Sequence, residues 1–364
     1  MKKPDYSNSI LNVSNSILHF YNIKTIYNGI DILDKELKNN YNHIVLILLD
    51  GMGINIIKKH LSENDALRKN IKKEISSVFP PTTVAATNSV LSGFPPFVHG
   101  NLGWMQYNKF TDSYPIVFKN IDYYDESKIL EEQFQKKYLN YKDIFAQIKD
   151  KQPDLMVTSI FPDFIEGGCA SFTEEVDRVL SIVKNKKSFT YCYWTDPDAT
   201  IHEKGVNSIE TGVVMKKLNN EYERLLDNIS NDVLVITIAD HGLIDVEEFN
   251  LFEYENITKY FKRKPALEPR ATAFYIIDNE YENFEKEFNK TFGKYFLLFT
   301  KEEVLRSGLF GWGIKHELFD DFIGDYLAIA FSTKMFSLSV GSMFAAHHAG
   351  ITEEELMVPL IINK

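Results

Sequence analysis

The chain predicts an α/β fold: a mostly parallel central sheet with helices on both faces and a smaller α+β cap or side lobe. Three observations carry this. Short apolar, β-branched or aromatic runs alternate with longer helix-length patterns. Four aspartates, Asp50, Asp196, Asp198 and Asp240, stand at or just after the ends of such runs. Open parallel sheets place their ligands there, outside the carboxyl ends of the strands. The pattern then changes style from about residue 262 to residue 333.

Taken in order, residues 43–49, 154–160, 188–194 and 233–238 read as buried strands, each rich in apolar, β-branched or aromatic side chains. Between and around them, 83–91, 141–149, 173–184 and 209–226 read as helices. In the changed stretch, 271–277, 295–299 and 326–331 predict strands and 283–292 a helix. This makes 262–333 a smaller α+β lobe, inserted into a core of 1–261 and 334–364. Residues 356–362 return as a strand of the main sheet, and Thr352 with Glu355 fits a capping box just before it. The run Lys184-Asn185-Lys186-Lys187 reads as a solvated helix end, where cations suit the dipole.

Composition narrows the function. Of the 364 residues 44% are hydrophobic and 25% charged, which is globular. A net charge of −11 argues against wrapping a nucleic-acid polymer. It leaves small anionic substrates open, because bound divalent cations reverse the local sign. Two cysteines, Cys169 and Cys192, define neither a disulfide framework nor a cysteine zinc site. No unbroken apolar run reaches signal-peptide or membrane-span length, so the expectation is a cytoplasmic protein without a membrane partner.

The chemistry lies in five short motifs. Asp50 ends an apolar strand and is followed by Gly51-Met52-Gly53, which allows a sharp exit; an ordinary Asp-Gly turn has the same pattern. Pro80-Pro81-Thr82-Thr83 places two hydroxyls at a helix start, which Gly93 and Pro95 end. Free N–H groups and the dipole there favour an alkoxide and hold a phosphate, and a threonine N-cap fits equally. Asp198 and His202 stand one turn apart if Pro197 opens a helix, the spacing of two ligands for one ion. Asp196 is a rival ligand or a helix cap. Asp240-His241-Gly242 follows a strand; both side chains reach one ion only if the chain has already left the sheet. His347-His348 adds a late imidazole. His19, His43, His60, His99 and His316 have no carboxylate partner at ligand spacing and read as structural.

In this order, over about residues 42–360, the motifs resemble the alkaline phosphatase superfamily, in the branch of type I phosphodiesterases and nucleotide pyrophosphatases. The resemblance implies an alkaline phosphatase-like fold and a metal-dependent phosphoric ester hydrolase that works through a covalent phosphothreonine. It implies two divalent ions, Zn2+ first and Mn2+ as the alternative. One would be held by Asp50, Thr83, Asp240 and His241, the other by Asp198, His202 and His348. Thr83 is taken over Thr82 as nucleophile because the family nucleophile stands ten residues before a helix-ending glycine, here Gly93. His348 is taken over His347 because the family ligand precedes a small residue and a glycine, here Ala349-Gly350.

One departure matters. The family grips a phosphate oxygen with an asparagine shortly after a His-Gly such as His99-Gly100; that place holds Trp104, with Asn101 nearby but displaced. Both are candidate substrate-facing residues, while Phe97 and Tyr107 suit either stacking or core packing. The expected partner is a small phosphoester, nucleotides included. A phosphomonoesterase or phosphomutase is the nearest alternative, the scarcity of arginine weighing against the mutase. A catalytically silent metal-binding module is the alternative of another class. Pro81-Thr82-Thr83-Val84-Ala85 is not the Cys/Ser-x-Pro-x-Arg motif of sulfatases, and Gly308-Leu309-Phe310-Gly311-Trp312-Gly313 lacks the dinucleotide-binding order.

Overall fold

In the computed structural model, residues 2–338 and 343–364 are described. Residue 1 and residues 339–342, which fall within the stretches assigned to the core, lie outside the described residues. The central sheet has six strands: β1 (His43–Leu49), β2 (Ile71–Ser76), β3 (Met156–Ile160), β4 (Ser188–Trp194), β5 (Val233–Ile238) and, after the lobe, a last strand Met357–Asn363. Their order is β2, the last strand, β5, β1, β4, β3. β1 pairs in parallel with β4 and β5, and β3 with β4. The last strand runs antiparallel to both β5 and β2. β1 is buried along its whole length because it is central and covered on both faces, which is why it reads as an unbroken apolar run. β2 escapes the sequence pattern because it is an edge: Lys72, Lys73 and Glu74 are exposed, charges that also discourage pairing with another chain.

The helices gather in two packing groups. α1 (Ile10–Phe20) packs on α2 (Thr83–Ser92) and on α3 (Ile144–Lys151); α4 (Phe172–Ile182) packs on α6 (Ile209–Asp227), which also meets α5 (Asp198–Lys204). α1 is buried on both sides: besides Ile10, Leu11, Val13, Ile17 and Leu18 it buries Asn12, Ser14, Asn15 and Ser16. Two of them bond across to α2: Ser14 Oγ donates to Val90 O at 2.7 Å and Asn15 Nδ2 to Gly93 O at 3.1 Å, so α1 holds the end of α2. α3 starts at Ile144 rather than 141 because Asp143 caps it, accepting from the Ala146 N–H.

A second, antiparallel sheet lies beside the first. Its strands are β6 (Phe261–Glu268), β7 (Ala271–Ile276), β8 (Phe296–Thr300) and β9 (Tyr326–Ala330), in the order β6, β7, β9, β8. The last strand of the main sheet is therefore β10. Helix α7 (Tyr281–Phe292) buries Phe284, Phe288 and Phe292 in the lobe's core, where Phe296 stacks on Phe336 at 4.2 Å. That core is not confined to 262–333: Leu102, Met105, Phe134 and Leu251 join it. Among the described residues no helix is long and apolar enough to cross a membrane.

Candidate metal centre

β1 delivers Asp50 to the rim of the sheet. The Asp50 N–H still donates to Trp194 O at 2.9 Å, and its carbonyl accepts from the Asp198 N–H at 3.0 Å, so the starts of two motifs are tied backbone to backbone. Gly51 follows with φ +70°, and a Cβ there would lie 2.7 Å from Leu243 Cδ1 and 2.8 Å from Asp198 Cβ. The glycine thus serves both the turn and the close approach of Asp198. The Gly51 N–H donates to Asp240 Oδ1 at 3.0 Å.

The two threonines part company. Thr82 is the N-cap of α2, yet its hydroxyl makes no cap bond; it donates to Glu268 Oε1 at 2.7 Å. Thr83, the first residue of α2, faces the other way. Its Oγ1 donates to Asp50 Oδ2 at 3.4 Å and lies 3.2 Å from His241 Nε2. The Tyr193 hydroxyl donates to the same Asp50 oxygen.

Among the described residues two groups of metal-competent side chains result: Asp50, Asp240 and His241, and Asp198, His241 and His348, the ligand atoms of each within 4.8 Å of one another. His241 belongs to both, so they form one continuous site. Its Nε2 is 3.5 Å from Asp50 Oδ1 and 3.4 Å from Asp240 Oδ2, and its ring stacks on His348 at 3.9 Å. His202 Nε2 is 3.4 Å from Asp198 Oδ1, and its ring centroid is 5.0 Å from that of His348. Two ring orientations follow from acceptors that can only accept. His202 Nδ1 meets Ala346 O at 2.8 Å and His241 Nδ1 meets Gly242 O at 3.2 Å, so each Nδ1 carries the proton and Nε2 offers its lone pair to the site.

The donor set fits cations. Asp50 Oδ1, Asp198 Oδ1, Asp240 Oδ2 and His348 Nδ1 are buried, and none has a hydrogen-bond partner. Leaving one such atom unsatisfied costs about 1–3 kcal/mol, and four converge here. Burial, then the neighbouring Asp240 and Asp198, pushes Asp50 well above the usual carboxylate range; burial, then Asp240, does the same to Asp198. Burial lowers His202 to about 4 and holds His241 below, and His348 well below, the usual imidazole range. Divalent ions reverse this arithmetic for the carboxylates and need the imidazoles neutral.

The remaining candidates lie around this centre. Asp196 accepts from Thr200 Oγ1 at 2.8 Å at the start of α5. His347 Nδ1 lies 2.9 Å from His348 N and 3.0 Å from His348 O, a local backbone role. Asn101 is fully buried; its Nδ2 meets His99 O at 3.2 Å and its Oδ1 accepts from Gln135. The Trp104 N–H donates to Glu268 Oε1 at 2.6 Å, while its ring meets Phe118 edge-on and lies under Lys119. Phe97 and Tyr107 pack with the lobe's core. Of the histidines read as structural, His43 bonds across the fold to Ser188 and His60 to Val206 O. Three residues near the centre carried no signal in the sequence: Tyr193, Glu268 and Arg270. Each acts across the fold, on residues more than 80 positions away. Burial pushes Glu268 up to about 7, against the pull of its bonds from Thr82 and Trp104.

The model of the type I phosphodiesterase / nucleotide pyrophosphatase family matches residues 44–290, more than half of the chain. No curated protein sequence matches. Among solved structures, murine ectonucleotide pyrophosphatase/phosphodiesterase 5 has a similar fold, with TM-score 0.64 at 15% identity over 87% of each chain. An inactive form of that murine protein was solved in complex with AMP. The human counterpart has TM-score 0.64 at 13% identity, over 88% of this chain and 87% of that one. Phosphonoacetate hydrolase from Sinorhizobium meliloti 1021, in complex with phosphonoformate, has TM-score 0.63 at 15% identity over 88% and 89%. At such identities the likeness is one of fold.

Proposed function

The chain belongs to the type I phosphodiesterase / nucleotide pyrophosphatase family of phosphoric ester hydrolases, and from that premise we propose that it is a phosphodiesterase acting on a small substrate through a covalent phosphothreonine at Thr83. The observation that carries this is the position of Thr83 Oγ1. It sits at the N-terminus of α2, 3.4 Å from Asp50 Oδ2 and 3.2 Å from His241 Nε2, beside the imidazole common to both ligand groups. Asp50, Asp240 and His241 with Thr83 would hold one divalent ion, and Asp198, His202 and His348 the other. Such ions supply charge stabilisation of the attacking and leaving oxygens and make a nucleophile available at neutral pH. Imidazole with carboxylate suits Zn2+, with Mn2+ as the alternative.

Thr83 Oγ1 holds its proton toward Asp50 Oδ2. Once that proton passes to solvent, which in turn protonates the departing oxygen, the free N–H groups and dipole at the start of α2 stabilise the Thr83 oxygen anion. The Thr83 oxygen attacks phosphorus in line: its bond to phosphorus forms as the bond to the ester oxygen breaks, and the departing alkoxide takes up a proton. Water then displaces Thr83 Oγ1 from phosphorus, releasing the phosphoryl product and restoring the hydroxyl. Tyr193 keeps Asp50 oriented throughout. The AMP and phosphonoformate complexes of the similarly folded proteins support a small phosphoryl or phosphonate ligand, nucleotides included.

A phosphomonoesterase is the second reading, favoured by Trp104 in place of the family asparagine and by the engagement of Asn101 with His99 and Gln135. Turnover of bis(4-nitrophenyl) phosphate, 4-nitrophenyl phosphate and a nucleoside 4-nitrophenyl ester, each with Zn2+ and with Mn2+, separates the two. Faster turnover of the diesters supports the proposal; faster turnover of 4-nitrophenyl phosphate replaces it with the second reading.

A further inference from the structure

The turn Glu268-Pro269-Arg270, between β6 and β7, belongs to the lobe's sheet, yet its two charged side chains leave that sheet and are buried against the centre. Glu268 Oε1 takes the Thr82 hydroxyl at 2.7 Å and the Trp104 N–H at 2.6 Å. It therefore fixes the residue before the proposed nucleophile and the loop that carries Trp104. Arg270 points to the other half. It is fully buried and forks onto Glu355, Nε to Oε1 at 2.7 Å and Nη2 to Oε2 at 2.9 Å, while Nη1 and Nη2 also donate to Lys334 O and Ser332 O.

Glu355 passes that constraint on. Its Oε1 accepts from the Gly350 N–H at 2.7 Å, two residues after His348, and its backbone carbonyl accepts from the Gly242 N–H at 2.9 Å, one residue after His241. A planar, always-charged fork orients a carboxylate in a way that a lysine point charge does not. We propose that the Glu268-Pro269-Arg270 turn is the positioning element of the metal centre, Glu268 setting the nucleophile's helix start and Arg270, through Glu355, setting the loops of His241 and His348. The inference rests on the metal-dependent reading above. Groups that orient ligands from behind typically govern metal affinity or activity by about 10–100-fold.

The two arms predict different losses, which a merely structural role does not. The probe is Zn2+ alone, titrated calorimetrically into the EDTA-treated full-length chain, alongside kcat and KM on bis(4-nitrophenyl) phosphate. Arg270→Lys is expected to weaken Zn2+ binding by about 10–100-fold. Glu268→Ala is expected to lower kcat by about 10-fold or more with Zn2+ affinity and KM little changed, and Glu268→Gln, which keeps an acceptor for Thr82 and Trp104, to recover most of it. If Arg270→Lys does not fold, the double variant Arg270→Met/Glu355→Gln decides. It removes both charges together, which spares the fold an unpaired buried ion, and the same loss of Zn2+ affinity is expected. Wild-type Zn2+ affinity in the folded Arg270 variant, or Glu268→Gln no better than Glu268→Ala, overturns the proposal. A wild-type chain that binds neither Zn2+ nor Mn2+ overturns instead the metal-dependent reading beneath it.

Discussion

Thr82 and Thr83 are chemically alike and adjacent, and what separates them is the direction each hydroxyl faces. Thr82 is spent on Glu268; Thr83 faces Asp50 and His241. Thr83→Ala is therefore expected to abolish turnover with metal content intact, because Asp50, Asp240 and His241 still supply three ligands to the ion that Thr83 would share. Measured kcat close to wild type would remove Thr83 from the nucleophile's role. A second residue makes a prediction far from the centre. Glu175 is buried on α4, neither of its oxygens has a hydrogen-bond partner, and burial pushes its carboxyl up to about 9 against the pull of Arg178. The folded value exceeds the unfolded one, so its contribution to stability is fully present below the unfolded value of 4.5 and is lost as pH rises through about 9. Glu175→Gln is expected to gain about 1–3 kcal/mol over wild type at about pH 8 and far less at about pH 5, read from melting at the two values. An equal gain at both would show that Glu175 is not held neutral in the fold.

At the scale of elements, the centre is built from the ends of strands and the starts of helices. β1 and β5 end side by side in register, Leu48 opposite Ile238, which puts Asp50 and Asp240 two residues beyond the same rung of the sheet. α5 and α2 then present Asp198 and Thr83 from their first residues. The Gly51 turn is one of the tight joints in this arrangement. Gly51→Ala would set a methyl 2.9 Å from the Asp198 Cα in a backbone with φ +70°. The strain is expected to cost about 1–3 kcal/mol, and displacing Asp198 is expected to weaken Zn2+ binding as well. A melting curve with a parallel zinc titration checks both, and unchanged affinity would mean that Asp198 yields without leaving its place. The elements the sequence pattern anticipated best are the short, continuous apolar or aromatic runs: β1, β4 and β5 agree to the residue. β2 and β6 did not announce themselves, because exposed charge fills the first and Lys-Arg-Lys follows the opening Phe261 of the second.

At the scale of the whole molecule the described residues form two hydrophobic cores, one around the central sheet and one in the lobe, with the centre at the rim of the first. A chain of this size can hold an acidic pocket that opposes folding unless cations fill it. Asp50 and Asp198 lie out of water beside Asp240, and burial with that neighbouring charge favours their protonated forms when no divalent ion is bound. Zn2+ is therefore expected to raise the melting temperature, by the equivalent of about 2.7 kcal/mol at a concentration a hundred times its Kd. Identical melting of EDTA-stripped and Zn2+-loaded samples would contradict that.

The sequence by itself determined the alternation of strands and helices and the set of carboxylates, imidazoles and hydroxyls that the centre brings together. Those are local matters: side-chain period, turn chemistry and short spacing are written within a few residues of one another. Only the tertiary structure decided which threonine faces the carboxylates, that His241 is common to both ligand groups, and that Tyr193, Glu268 and Arg270 stand behind them. Such relations join residues far apart in the chain, and their partners are set by strand order and by how the lobe packs on the sheet, for which no single stretch of sequence carries a signal.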